Sequence, residues 1–276
     1  MLLCIFPISL NLHKILEKPF KIHYIIIKPI FQEERTGFMR ESILTIPVTE
    51  IFEPKCGCPI CRLRDMLESR TVEYIMGAAM MEPDVRIETN KLGFCHLHFE
   101  QMRECKNRLS LALMIQTHLQ HLQQELSKKS LFHGKSAKRK TVSAVNESCF
   151  VCSKIDWGMS RIMRTLFEMY QQQEEFRKLF DEQQMLCLPH YELLMEMMET
   201  NLDKKLHKQF SQACGELMKK YLDELEKDVS HFCKMYDYRN TGANADWGNS
   251  KDSVERAIKF LTTRYFSFAF VKRPMG

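Results

Sequence analysis

Two copies of one cysteine–histidine pattern constrain this chain more than any other feature. Thirty-three residues separate Cys58-Pro-Ile-Cys61 from Cys95-His-Leu-His98, and thirty-four separate Cys149-Phe-Val-Cys152 from Cys187-Leu-Pro-His190. Both CxxC cysteines recur at an offset of 91 residues, and both CxxH ligands at an offset of 92. Each copy supplies three thiolates and one imidazole, the donor set of a closed tetrahedral zinc site. The expectation is therefore an internal duplication built around metal, with Cys58, Cys61, Cys95, His98, Cys149, Cys152, Cys187 and His190 as ligands. The register excludes two neighbours. Cys56 has Glu147 as its counterpart and His96 has Leu188, so neither is conserved in type between the copies.

The spacing has a physical reason. Cys95 and His98 are three residues apart, and at the start of a helix such residues project to one side. Helix N-termini carry partial positive charge and free N–H groups, which favour thiolate over thiol. In a CxxC turn both sulfurs can converge on one ion, and Pro59 stiffens the first such turn. The spacing accommodates two pairings equally: each CxxC with the CxxH of its own copy, or with that of the other. Zinc is the expected ion at both sites and an iron–sulfur cluster the alternative, since thiolate-rich sites suit both. Disulfides would leave the duplicated histidines without a role.

Composition points to an all-α protein. The chain is 45% hydrophobic, with 10 Gly and 9 Pro in 276 residues, and its 18 Met and 18 Phe supply core material. Eleven cysteines at metal-like spacings in so long a chain suggest a reducing, cytoplasmic location rather than a disulfide scaffold. Two similar helical modules are expected, 39–126 and 147–236, each built around a Cys3His site. A basic linker at 127–146 joins them, and a loop, helix and aromatic tail follow over 237–276.

Within this plan, Ser42–Phe52 reads as an extended lead-in or short strand, Arg62–Met81 as a helix and Glu82–Gly93 as a polar connector. Cys95–Leu126 reads as one long helix, with Met102, Cys105, Leu109, Ala112 and Leu119 on its core face. Ile155–Gln172 and Glu174–Gln183 read as helices. Another runs from His190 to about Tyr236, with the stripe Leu202, Leu206, Phe210, Ala213, Leu217, Tyr221 and Leu225. Core packing accounts for that stripe, with a dimer seam as the minority alternative. Ser250 would cap a helix over Lys251–Thr262, ahead of an aromatic cluster of Phe260, Tyr265, Phe266, Phe268 and Phe270.

Residues 1–38 stand apart. Lys14, Lys18, Lys21 and Lys28 interrupt their apolar stretch, so no run reaches the roughly 18 apolar residues of a membrane span. Gln32-Glu33-Glu34 can be encoded by CAGGAGGAG, a bacterial ribosome-binding sequence shortly before Met39. The expectation is a start at Met39, with 1–38 a non-native or disordered extension. The intact mass of natively expressed protein checks this: a mass that includes 1–38 contradicts it.

CGCPICRLRDMLESRTVEYIMGAAMMEPDVRIETNKLGFCHLHFEQM at Cys56–Met102, CFVC at Cys149, CLPHY at Cys187 and DYRN at Asp237 together resemble an uncharacterised family of cytoplasmic proteins from anaerobic Gram-positive bacteria, a domain of unknown function. The resemblance covers Met39 to near the C-terminus. It implies an all-helical, duplicated protein and carries no activity.

Three functional classes follow. The first is a zinc-stabilised interaction module, with a protein as its partner. The second is a redox- or metal-responsive regulator using the Cys-rich sites. The third is an enzyme, for which no GxSxG, P-loop, GxGxxG or HExxH pattern speaks. Lys128, Lys129, Lys135, Lys138, Arg139 and Lys140 could contact nucleic acid, but a net charge of only +5 favours a solvated segment.

Overall fold

The computed structural model describes residues 40–127, 135–237 and 246–262. Among them the chain is all-helical, with eleven α-helices, one short 3-10 helix and no strand. In order they are α1 Arg40–Phe52, α2 Pro59–Met76, the 3-10 helix Ala78–Met81, α3 Pro83–Leu92, α4 His96–Glu104 and α5 Arg108–Ser127. There follow α6 Lys135–Asn146, α7 Phe150–Gln172, α8 Glu174–Asp181, α9 Leu188–Asn201, α10 Lys204–Met235 and α11 Ser253–Leu261. No described helix is long and apolar enough to cross a membrane. The helices form two compact units. One takes described residues up to Leu63 and from Ser160 onward, and the other takes Arg64–Met159. The divisions fall inside α2 and α7.

The first unit is organised by aromatic side chains. Phe167 and Tyr170 of α7, Phe180 of α8 and Phe210 of α10 are all fully buried. The Phe210 ring lies 4.8 Å from Tyr170, 5.3 Å from Phe167 and 5.3 Å from Phe180, centroid to centroid. α1 joins them through Phe52, 5.2 Å from Phe176 and 5.9 Å from Phe180. Burying each such ring contributes about 1.5–3 kcal/mol. The α10 stripe continues through Leu217, Tyr221 and Leu225, all buried. Tyr221 meets Phe260 of α11 at 5.6 Å.

The second unit has a mixed core of Leu67, Val72, Ile75, Met102, Met114, Phe150, Val151 and Ile155. Polar contacts dock α3 on α5. Arg86 Nη2 donates to the Leu113 carbonyl at 3.2 Å, Thr117 Oγ1 to Asn90 Oδ1 at 2.9 Å, and His118 Nδ1 lies 2.8 Å from the Asn90 carbonyl.

Several local expectations are corrected. Ser42–Phe52 is helical, not extended, because Val48, Ile51 and Phe52 reach the core only at helical spacing, and Pro47 is accommodated within α1. Glu82–Gly93 is helix α3, not a connector. Pro83 occupies its first turn with Asp84, and Gly93 stops it. The long helix from Cys95 breaks at Cys105–Asn107. There Lys106 takes φ 59°, and Asn107 Oδ1 accepts the Ser110 N–H at 3.2 Å, capping α5. That break resets the phase. Leu109 and Leu119 are 68% and 58% exposed and Cys105 is exposed, while Ser110, Met114 and His118 face inward. A second break at Leu202–Asp203 separates α9 from α10. Lys135–Asn146 is helix α6 rather than irregular, since it holds good helix formers and neither Gly nor Pro. Lys138, Arg139 and Lys140 are exposed on it. Asp252, not Ser250, takes the cap position of α11. Lys128 and Lys129, the tail aromatics from Tyr265 onward and residues 1–38 lie outside the described residues.

Gly93 is required where it stands. Its φ of 60° and ψ of −158° belong to a region essentially reserved for glycine, and an added Cβ would lie 3.0 Å from the His118 imidazole. Gly93→Ala is expected to cost about 1–3 kcal/mol in denaturant unfolding. An unchanged midpoint would contradict this.

Candidate metal centres

All eight predicted residues come together, as two groups of four. Cys58 and Cys61 meet Cys187 and His190, and Cys95 and His98 meet Cys149 and Cys152. Within each group the donor atoms lie within 4.8 Å of one another, and either group could hold a metal ion. Of the two pairings the spacing accommodates, the structure has the exchanged one: each CxxC meets the CxxH of the other copy. Each group lies within one unit, the first in the unit of α8–α11 and the second in that of α3–α6. Cys56 and His96 belong to neither.

One local device builds all four halves. The carbonyls of Cys58, Cys95, Cys149 and Cys187 accept the N–H groups of Arg62, Phe99, Ser153 and Tyr191 at 2.9–3.2 Å. Each is thus the residue that opens a helix, and the second ligand follows three residues later on the same side. CxxC is therefore a helix start, as CxxH is, and two helix N-termini converge on each group. Their N–H dipoles favour the thiolate form.

Short tethers hold the helix starts together. Before Cys58 and Cys187, the Gly57 N–H donates to Gln184 Oε1 at 2.6 Å, Gln183 Nε2 donates to the Phe52 carbonyl at 2.8 Å, and Lys55 pairs with Glu182. Around Cys95 and Cys149, the Phe150 N–H donates to the Gly93 carbonyl at 2.9 Å and Ser148 Oγ to the Leu92 carbonyl at 2.7 Å. Both tethers join segments distant in sequence.

In the first group, His190 Nδ1 lies 3.0, 3.2 and 3.5 Å from the sulfurs of Cys187, Cys61 and Cys58, and Cys61 and Cys187 are 3.7 Å apart. In the second, His98 Nδ1 lies 3.1, 3.2 and 3.5 Å from the sulfurs of Cys95, Cys149 and Cys152, and Cys95 and Cys152 are 4.0 Å apart. Two sulfurs about 2.3 Å from one tetrahedral centre stand about 3.8 Å apart. The residues fit such an ion.

Proton sharing marks both groups. Burial works against charge on Cys58, yet hydrogen bonds from Cys187, Cys61 and His190 hold its pKa well below an ordinary thiol's. Donation to Cys58 pushes Cys187 up to about 12, and hydrogen bonds to Cys187 and Cys58 raise Cys61. In the second group, a hydrogen bond from Cys152 lowers Cys149 to about 3 against burial, and Cys152 is raised in turn. Burial opposes charge on His98, but Cys149 and Glu68 raise it to about 10. A cation must displace the protons held by Cys61, Cys187, Cys152 and His98, so metal affinity is expected to rise with pH, about tenfold per unit for each proton released. Competition titrations between pH 6 and 8 check this, and a flat profile would contradict it.

Glu68 adjoins the second group. Its Oε1 lies 2.9 Å from His98 Nε2 and its Oε2 3.4 Å from Arg64 Nη1, with all three residues buried. Arg64 and Glu68 stand four apart on α2, the spacing of an ordinary ion pair on a helix surface. Nothing in the pattern signals their burial beside the second group.

The chain belongs to the family of unknown function DUF6062, whose model matches residues 39–267. No curated protein and no solved structure matches it.

Proposed function

We propose that the chain is a zinc-stabilised helical interaction module, with one structural zinc ion in each four-residue group. The observation that carries this reading is the convergence of two helix N-termini on each closed Cys3His set. Four protein donors fill a tetrahedral zinc ion and leave no position for water or substrate, which supports a structural rather than a catalytic role. Bound there, zinc would supply cross-links between helix starts far apart in sequence. Donor spacing supports a single ion over an iron–sulfur cluster, because a cluster must fit several atoms between its cysteines. The matching motif halves support descent by internal duplication, and the partner is expected to be a protein.

Elemental analysis of protein purified without oxygen tests this. About two zinc per chain is expected; iron with sulfide, or no metal, would contradict it. The interaction role predicts a partner that binds the zinc-loaded chain and not the chelator-extracted one.

One observation favours the redox-responsive reading as a second. Cys61, Cys95 and Cys152 are only partly buried, so oxidants can reach a thiol in each group. This reading expects mild peroxide to release zinc with loss of helical circular dichroism. Retention of both zinc and helix under peroxide would eliminate it.

A further inference from the structure

We propose that Glu68 is the positioning residue of the second group, fixing both the rotamer and the tautomer in which His98 offers Nδ1 to a metal ion. This rests on the reading of that group as a metal site. The two nitrogens of His98 face different partners. Nδ1 faces the three sulfurs, and Nε2 faces Glu68 Oε1 at 2.9 Å. A half-turn of the ring would present carbon to both sides, losing the sulfurs and the carboxylate together. With metal on Nδ1, the remaining ring proton sits on Nε2, and Glu68 accepts it. That is the carboxylate–histidine–metal arrangement by which outer partners orient a ligand and raise its basicity.

Glu68 is itself held. Its second oxygen faces the Arg64 guanidinium at 3.4 Å, and the nearby Gln101 side chain favours the charged carboxylate. A buried carboxylate is costly unless paired and hydrogen-bonded. Here each oxygen has a cationic or proton-donating neighbour, so the charge persists where the imidazole needs it. Arg64 and Glu68 lie on α2, Gln101 and His98 on α4. The contact therefore also sets the rotation of α4 about the axis that aims His98.

The test uses the full chain loaded with zinc, the substitutions Glu68→Leu and Glu68→Gln, and chelator competition that resolves the two ions. Glu68→Leu is expected to weaken one zinc by about 10–100-fold and leave the other within about threefold. Glu68→Gln keeps an acceptor of the same shape and is expected to lose less. A second readout separates positioning from general support. In protein labelled with nitrogen-15 at histidine, the Nε2 proton of His98 should be observable and slow to exchange in the parent. It should exchange fast in Glu68→Leu. If both ions keep their affinity, or both weaken alike, the proposal fails while the metal reading stands; a His98 proton on Nδ1 in the zinc-loaded chain overturns the proposal and removes His98 from the ligands of the second group. A parent chain that takes up no zinc removes the metal reading, and this proposal with it.

Discussion

Cys58→Ser or Cys149→Ser is expected to remove one metal ion and most of the chain's stability, read as a large fall in the urea midpoint and loss of helical circular dichroism. The size follows from comparing two magnitudes. A structural zinc site contributes roughly 10–16 kcal/mol of apparent binding energy at neutral pH, and that energy appears as folding energy. A domain's net stability is only about 5–15 kcal/mol. Each group ties together helix starts far apart in sequence, α2 with α9 and α4 with α7, so losing the ion releases long loops as well as a contact. Without the ion, several buried or half-buried thiols and an imidazole are left crowded together with no cation between them. Cys56→Ser is the control. Cys56 stands two residues from Cys58 but outside both groups, and should leave stability and metal content unchanged. A Cys58→Ser chain with the parent's midpoint and metal content would show that the group is not a metal site.

Phe210→Ala should destabilise the first unit by about 3–5 kcal/mol, the largest effect expected away from the clusters. Phe210 is fully buried, and its ring touches three other buried aromatic rings from α7 and α8. Truncation would leave a cavity walled by rigid rings that cannot collapse to fill it, which places the cost near the top of the usual range. Leu222→Ala on the same helix offers the contrast. Leu222 is 41% exposed, and its truncation should change stability by about 0.5 kcal/mol or less. Equal midpoints for the two variants would mean that α10 does not pack on its Phe210 face.

The parts legible in sequence are those set by local spacing. The eight residues that gather in the two groups were readable because two copies in register separate Cys58 from Cys56 and His98 from His96. The all-helical class and the α10 face were readable because apolar residues recur at helical intervals from Phe210 to Leu225. CxxC reads in sequence as a turn ahead of helices from Arg62 and Ile155, whereas Cys58 and Cys149 themselves open α2 and α7, as Cys95 and Cys187 open theirs. What escaped is tertiary. Pairing each CxxC with the other copy's CxxH depends on tethers such as Gln184 to Gly57 and Ser148 to Leu92, which no local pattern encodes. α3 looked like a connector because polar contacts from Arg86, Asn90 and Thr117 dock it, not an apolar stripe. The core face assigned to Leu109 and Leu119 was wrong because Asn107 starts a new helix and shifts the phase. Glu68 was invisible because burial, not spacing, makes it a partner of His98.

Metal content in two double variants tests the exchanged pairing of CxxC and CxxH. Cys58→Ser with Cys187→Ser strikes one group twice, whereas Cys58→Ser with Cys95→Ser strikes both groups once. One bound metal ion per chain is expected in the first double variant and none in the second. The reverse, none in the first and one in the second, would mean that each CxxC binds with the CxxH of its own copy.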